Sequence, residues 1–129
     1  MADIKQVEKF EGVTAKQLYN ALMSSREHTD FTGASANIEN KVGRKFSAWD
    51  DYIEGENLEL EPDKKIVQKW RASDWPEGEW SEARFDFQDS KDCCELIFNQ
   101  AGVPEEMVKD VEQGWIDYYW QPLRKYFSK

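Results

Sequence analysis

The sequence predicts an α+β fold of two layers. A curved antiparallel sheet of about six to seven strands wraps around one long C-terminal helix, with two short helices after the first strand. Three observations carry that prediction. Apolar residues recur at period two from Ala34 to Val103. Two helix-start signals precede that region. After Pro104 the period becomes helical, over a run long enough to cover the sheet.

Residues 4–13, IKQVEKFEGV, alternate well enough for a first strand. Thr14 opens T-A-K-Q, in which Thr14 and Gln17 satisfy each other's backbone donors, and Leu18, Ala21 and Leu22 give the helix an apolar stripe. Ser24 and Glu27 repeat the signal, so a second short helix is expected to run to about Phe31 and stop at Thr32-Gly33.

The strands follow. KFSAWDDYI puts Phe46 and Ala48 on one face, with Ser47 and Trp49 on the other, and NLELEPD sets Leu58 and Leu60 against Glu59 and Glu61. Pro62-Asp63 makes a turn. KKIVQKWRA aligns Ile66 with Trp70 and Ala72, WSEARFDF aligns Ala83, Phe85 and Phe87, and CCELIFNQ aligns Cys94, Leu96 and Phe98. One apolar and one polar face per strand marks an antiparallel sheet that is wet on one side.

In the terminal helix, Pro104 suits a first turn and Glu105 and Glu106 complement its positive end. At helical spacing Val108, Val111, Trp115, Tyr118 and Tyr126 share one stripe, and Pro122 should bend the helix by removing the bond to Tyr118. Ile116, Trp120, Leu123 and Phe127 form a second apolar row behind it. That row either meets the N-terminal helices or presents a docking surface.

A length of 129 residues fits one domain, residues 1–129. The net charge of −9 opposes binding to nucleic acid and to anionic membranes, both of which need a positive surface. No apolar run reaches a membrane span, and MADIKQVEKFEG lacks the basic start and greasy core of a secretory signal. Cys93 and Cys94 are neighbours on opposite faces of a strand, so one is expected buried and one outward, with no disulfide. Together these features point to the cytoplasm.

The sequence contains no phosphate loop, zinc-protease motif, nucleophile elbow or paired-cysteine motif, so no catalytic residue, cofactor or metal is expected. The only histidine, His28, is expected to face solvent or cap its helix. Glu54, Glu56, Glu59, Glu61 and Asp63 lack the glycine-containing ligand loop of a calcium site and read as a solvated strand face.

The chain also resembles a known family. GRKFSAWDDYIEGENLELEPDKKIVQKWR, then WPEGEW, then GVPEEMVKDVEQGWIDYYWQPLRKYF are similar to the C-terminal domain of the activators of heat-shock protein 90 ATPase, of the START-like, or Bet v 1-like, helix-grip superfamily. The resemblance runs from about Thr14 to Phe127. Its strongest matches include Ile53-x-Gly55, Ile66-Val67-x-x-Trp70-Arg71, Trp75-Pro76-x-Gly78 and Gly114-Trp115. Asp51 departs from it, standing where the family often has glycine after Asp50. The eukaryotic activators carry a separate N-terminal domain for which 129 residues leave no room, so the chain is expected to resemble the single-domain members.

The resemblance implies a non-enzymatic module that binds a heat-shock protein 90-type chaperone and stimulates its ATPase. The alternative is a carrier or sensor of a small hydrophobic ligand held between sheet and helix. A cyclase-type enzyme ranks last, because the inward residues are almost wholly apolar. The expected cavity lining is Phe46, Ile66, Trp70, Phe85, Leu96, Trp115 and Tyr118, unless those side chains fill the space themselves. The expected partner contacts are Arg71, Trp75, Trp80 and Trp120, since aromatic and arginine side chains dominate interface hot spots.

Overall fold

The structure is a computed structural model and describes residues 2–128. The first strand, β1 (Ala2–Glu11), is followed by α1 (Ala15–Met23) and α2 (Ser25–Thr32). Thr14 and Gln17 form the expected reciprocal cap, and Gly33 ends α2 in the left-handed region at φ 80°. Five strands then run in succession: β2 (Lys45–Ala48), β3 (Ile53–Glu61), β4 (Lys65–Ala72), β5 (Ser81–Asp89) and β6 (Cys93–Val103). All six strands form one antiparallel sheet in the order β1-β6-β5-β4-β3-β2. α1 and α2 therefore carry the chain from one sheet edge to the other.

One face of the sheet builds the core, with Phe85 opposite both Ile66 and Phe98 in the ladder. Phe46, Gly55 and Trp70 form a second row, in which the Phe46 ring lies over the glycine. A side chain at Gly55 would run into that ring and the Lys69 carbonyl, so the close approach requires glycine. Cys94 is buried and Cys93 half-buried, and both are free thiols. Burial, then the charge of Asp89, raises the Cys94 thiol to about 11, which keeps it protonated.

Two departures from simple alternation appear in the sheet. The β3–β4 register shifts between Asn57 and Glu59, so Leu58 is the extra residue of a bulge and is exposed, while Leu60 stays half-buried. Trp49 was expected on the sheet's outer side. Instead it enters the β2–β3 turn, where Tyr52 N–H donates to the Trp49 carbonyl (3.1 Å) and Trp49, Asp50 and Asp51 all have positive φ. A turn with two left-handed central residues suits Asp-Gly, so the missing glycine at position 51 places strain there.

The C-terminal run is helical, but it is three segments rather than one. After a short 3-10 turn come α3 (Val108–Trp115), a π-helical turn (Ile116–Trp120) and α4 (Gln121–Phe127). The π turn is closed by Gln121 N–H donating to the Ile116 carbonyl, and Pro122 follows in the first turn of α4, where a missing donor costs little. The wide turn inserts one residue and rotates everything after it by about 100°. Tyr119 thereby takes the buried position expected of Tyr118, which is 56% exposed. Trp120 and Leu123, expected on the second row, are fully buried against the sheet.

Arg124 fastens the end of the helix by donating to Glu8 Oε1 (2.7 Å) and the Lys9 carbonyl (3.0 Å) while lying over the Phe10 ring. Tyr126 hydroxyl donates to Glu27 Oε1 (3.1 Å) on α2. Among the described residues, no helix is long and apolar enough to cross a membrane.

Candidate functional site

Most of the tryptophans build the interior. Trp115 lies 4.4 Å from Phe98, 5.5 Å from Trp70 and 5.4 Å from Trp120, ring centroid to centroid. Trp75 was expected as a partner contact, yet it is 4% exposed and meets Trp70 edge-on at 5.4 Å. The turn after β4 folds it back over the end of the sheet. Trp120, the other expected partner contact, belongs to the same cluster because of the π turn.

The indole N–H groups need partners in that setting. Trp115 Nε1 donates to Gln100 Oε1 (2.8 Å), Gln100 Nε2 to Ser81 Oγ (2.9 Å), and Ser81 Oγ to the Trp70 carbonyl (2.8 Å). Trp120 Nε1 donates to Gln6 Oε1 (2.6 Å), whose amide donates to the Glu112 carbonyl (2.9 Å). Gln68 Nε2 donates to Asn57 Oδ1 (3.1 Å), and Asn57 Nδ2 reaches the Glu39 and Lys41 carbonyls. The inward face is thus less uniformly apolar than strand alternation suggests, but its amides hold one another and the backbone. Gln68 and Gln100 stand at inward parity beside Trp70 and Phe98, which was a signal available in the sequence.

His28 differs most from expectation, being buried at 3% exposure. Its Nε2 lies 3.1 Å from the Tyr119 hydroxyl, and its Nδ1 has no partner among the described residues. Removal from water lowers its pKa to about 4, and the same burial raises that of the Tyr119 phenol. The pair is neutral at physiological pH. Nothing marked it in the sequence, because the burial of Tyr119 depends on the π turn.

Beneath the centre of the sheet the space is filled. Phe46, Ile66 and Phe85 border only a gap of about 20 Å³, and Leu96 is packed without any exposure. The open space lies elsewhere, in a cleft of about 730 Å³ between the terminal helix and the ends of β3 and β4. Of the expected lining, Trp70, Trp115 and Tyr118 reach it, and Phe46, Ile66, Phe85 and Leu96 do not. Trp49, Tyr52, Trp75 and Tyr119 complete its aromatic wall, and Asp74, Asp110 and Asp117 supply all its charge. Tyr52 hydroxyl donates to Asp74 Oδ1 (2.9 Å); burial, that bond, and the charges of Asp74 and then Asp110 push the phenol up to about 12.

On the opposite face of the sheet, Trp80 is half-buried, with Lys69 Nζ 4.5 Å and the Arg71 guanidinium 5.6 Å from its ring centre. Arg71 also holds the hairpin: its guanidinium donates to the Glu79 (3.2 Å), Trp75 (2.8 Å) and Pro76 (3.3 Å) carbonyls and lies 3.7 Å from Glu54. Of the four expected partner contacts, only Arg71 and Trp80 share a surface.

Comparison with known proteins places residues 12–128 within the model of the family described as Activator of Hsp90 ATPase homolog 1-like protein. The human Activator of 90 kDa heat shock protein ATPase homolog 1 is 33% identical over 113 residues, 88% of this chain and 33% of that protein. The Dictyostelium discoideum Activator of 90 kDa heat shock protein ATPase homolog is 31% identical over 113 residues, 87% of this chain and 29% of its own length. The chain therefore spans about a third of the length of the curated relatives it matches. A crystal structure of an HSP90 activator from Plasmodium falciparum superposes with a TM-score of 0.90 at 24% identity, covering 98% of this chain and 96% of that one, which establishes the shared fold.

Proposed function

Because the chain belongs to the Activator of Hsp90 ATPase homolog 1-like family, we propose that it acts, as one domain, as a non-enzymatic module that binds a heat-shock protein 90-type chaperone and stimulates its ATPase. The observation that carries this reading is the 33% identity to the human activator across 88% of the chain. A cytoplasmic location belongs to the same reading. The patch around Trp80 and Arg71 is the proposed contact, since it pairs a half-buried tryptophan with two cations on a wet sheet face.

Titration of the purified chain against the host's chaperone tests the reading. Binding at tens of micromolar, weakened about tenfold by Trp80→Ala in a variant that still unfolds cooperatively, is the expected result. Absence of binding at 100 µM (on the order of −5 kcal/mol) overturns it.

The cleft favours a second reading, in which the chain carries or senses a small ligand. Its volume of about 730 Å³ falls in the range of roughly 300–1,000 Å³ usual for such sites. Native mass spectrometry of freshly purified protein tests this through co-purifying mass.

A further inference from the structure

We infer that the cleft between the terminal helix and the ends of β3 and β4 is a binding site for an organic ammonium ion with an apolar body. A neutral lipid-like molecule fits its chemistry less well. The inference deepens the ligand-binding reading and does not depend on the chaperone one.

The wall is aromatic. Trp49 and Tyr118 meet edge-on at 5.4 Å at the mouth, and Trp70, Trp75 and Trp115 line the interior. A cation is attracted to the negative face of such rings, and most strongly where water is excluded. The charge of the lining has one sign. Asp74, Asp110 and Asp117 belong to it, and no lysine, arginine or histidine does. Among the described residues, none of the three carboxylates forms an ion pair. Asp74 accepts from Tyr52 and Asp117 from Gln113 Nε2 (3.0 Å), and neutral donors leave their charge uncompensated.

A purely apolar ligand would gain nothing from three carboxylates at the rim and would have to desolvate them. An ammonium ion would be held by both the rings and the carboxylates. The net charge of −9 draws cations toward the surface as well.

The test compares acetylcholine with its uncharged carbon isostere, 3,3-dimethylbutyl acetate, by following backbone and indole N–H shifts in NMR titrations at low salt. The expected result is binding of the cation about tenfold tighter than the isostere. Shifts should be confined to residues of the cleft. In the double variant Asp110→Asn, Asp117→Asn the cation should lose about fivefold in affinity, with the isostere unchanged. Both positions are exposed, so the variant keeps its fold. Equal affinity for the two compounds overturns the inference in favour of a neutral ligand. Shifts centred elsewhere overturn it too, as does no shift with either compound up to 20 mM, the outcome if a protein segment or a second copy covers the cleft.

Discussion

Trp115 and Trp120 stack on one another five residues apart, with ring centroids at 5.4 Å and planes 19° from parallel. In a regular α-helix, positions five apart diverge by about 140° around the axis. The wide turn from Ile116 to Trp120 brings them together and lets both indoles enter the core. Trp120→Ala should therefore destabilise the fold by about 3–5 kcal/mol. Tyr118→Ala should change stability by only about 0.5 kcal/mol. Urea denaturation of both variants measures this, and a loss at Tyr118 equal to or larger than that at Trp120 would contradict the wide turn.

His28 makes stability depend on pH. Its folded pKa of about 4 lies below the unfolded value of 6.5, so between these values the unfolded chain binds the extra proton. The stabilisation is complete above about pH 6.5 and is lost as pH falls toward 4. At pH 5.5, where ordinary carboxylates are still ionised, the loss relative to pH 7.5 is about 1.4 kcal/mol. His28→Phe should abolish this loss. As the only histidine, it has no competitor in that window.

Gly55 sits beneath the Phe46 ring, and Gly55→Ala should cost about 2–3 kcal/mol through overpacking. At the neighbouring turn the opposite holds. Asp51 has φ 72°, and Asp51→Gly should stabilise by about 0.5 kcal/mol by relieving left-handed strain. Thermal unfolding of the two variants reads both signs.

Arg71 joins the hairpin tip to β4 through three carbonyls, and Trp75 is buried beneath that tip. Arg71→Met should cost about 1–2 kcal/mol. Amide exchange should rise first between Asp74 and Trp80, while β5 and β6 remain protected.

Period-two alternation was sufficient to place the inward faces of β4, β5 and β6, because a one-residue slip would carry each apolar row to the wet side, although Val67 of β4 is buried on the other face as well. Capping residues located α1 and α2 for a similarly local reason. Much of what the sequence concealed follows from one inserted residue. The π turn exchanges Tyr118 for Tyr119, buries Trp120, and gives His28 its partner, and its only trace beforehand is Pro122. Trp75 was misplaced because a turn residue's burial depends on where the turn folds back, which spacing alone does not specify. The cleft was misplaced with it: the centre of the sheet is packed by its own aromatic side chains, and space opens only at the strand ends.

The proposed role is tested most directly by the steady-state ATP turnover of the host's heat-shock protein 90-type chaperone, measured with increasing amounts of this chain. The account predicts a saturable rise of at least about twofold in turnover, reduced in the Trp80→Ala variant at concentrations below saturation. Unchanged turnover at concentrations that saturate binding would contradict it.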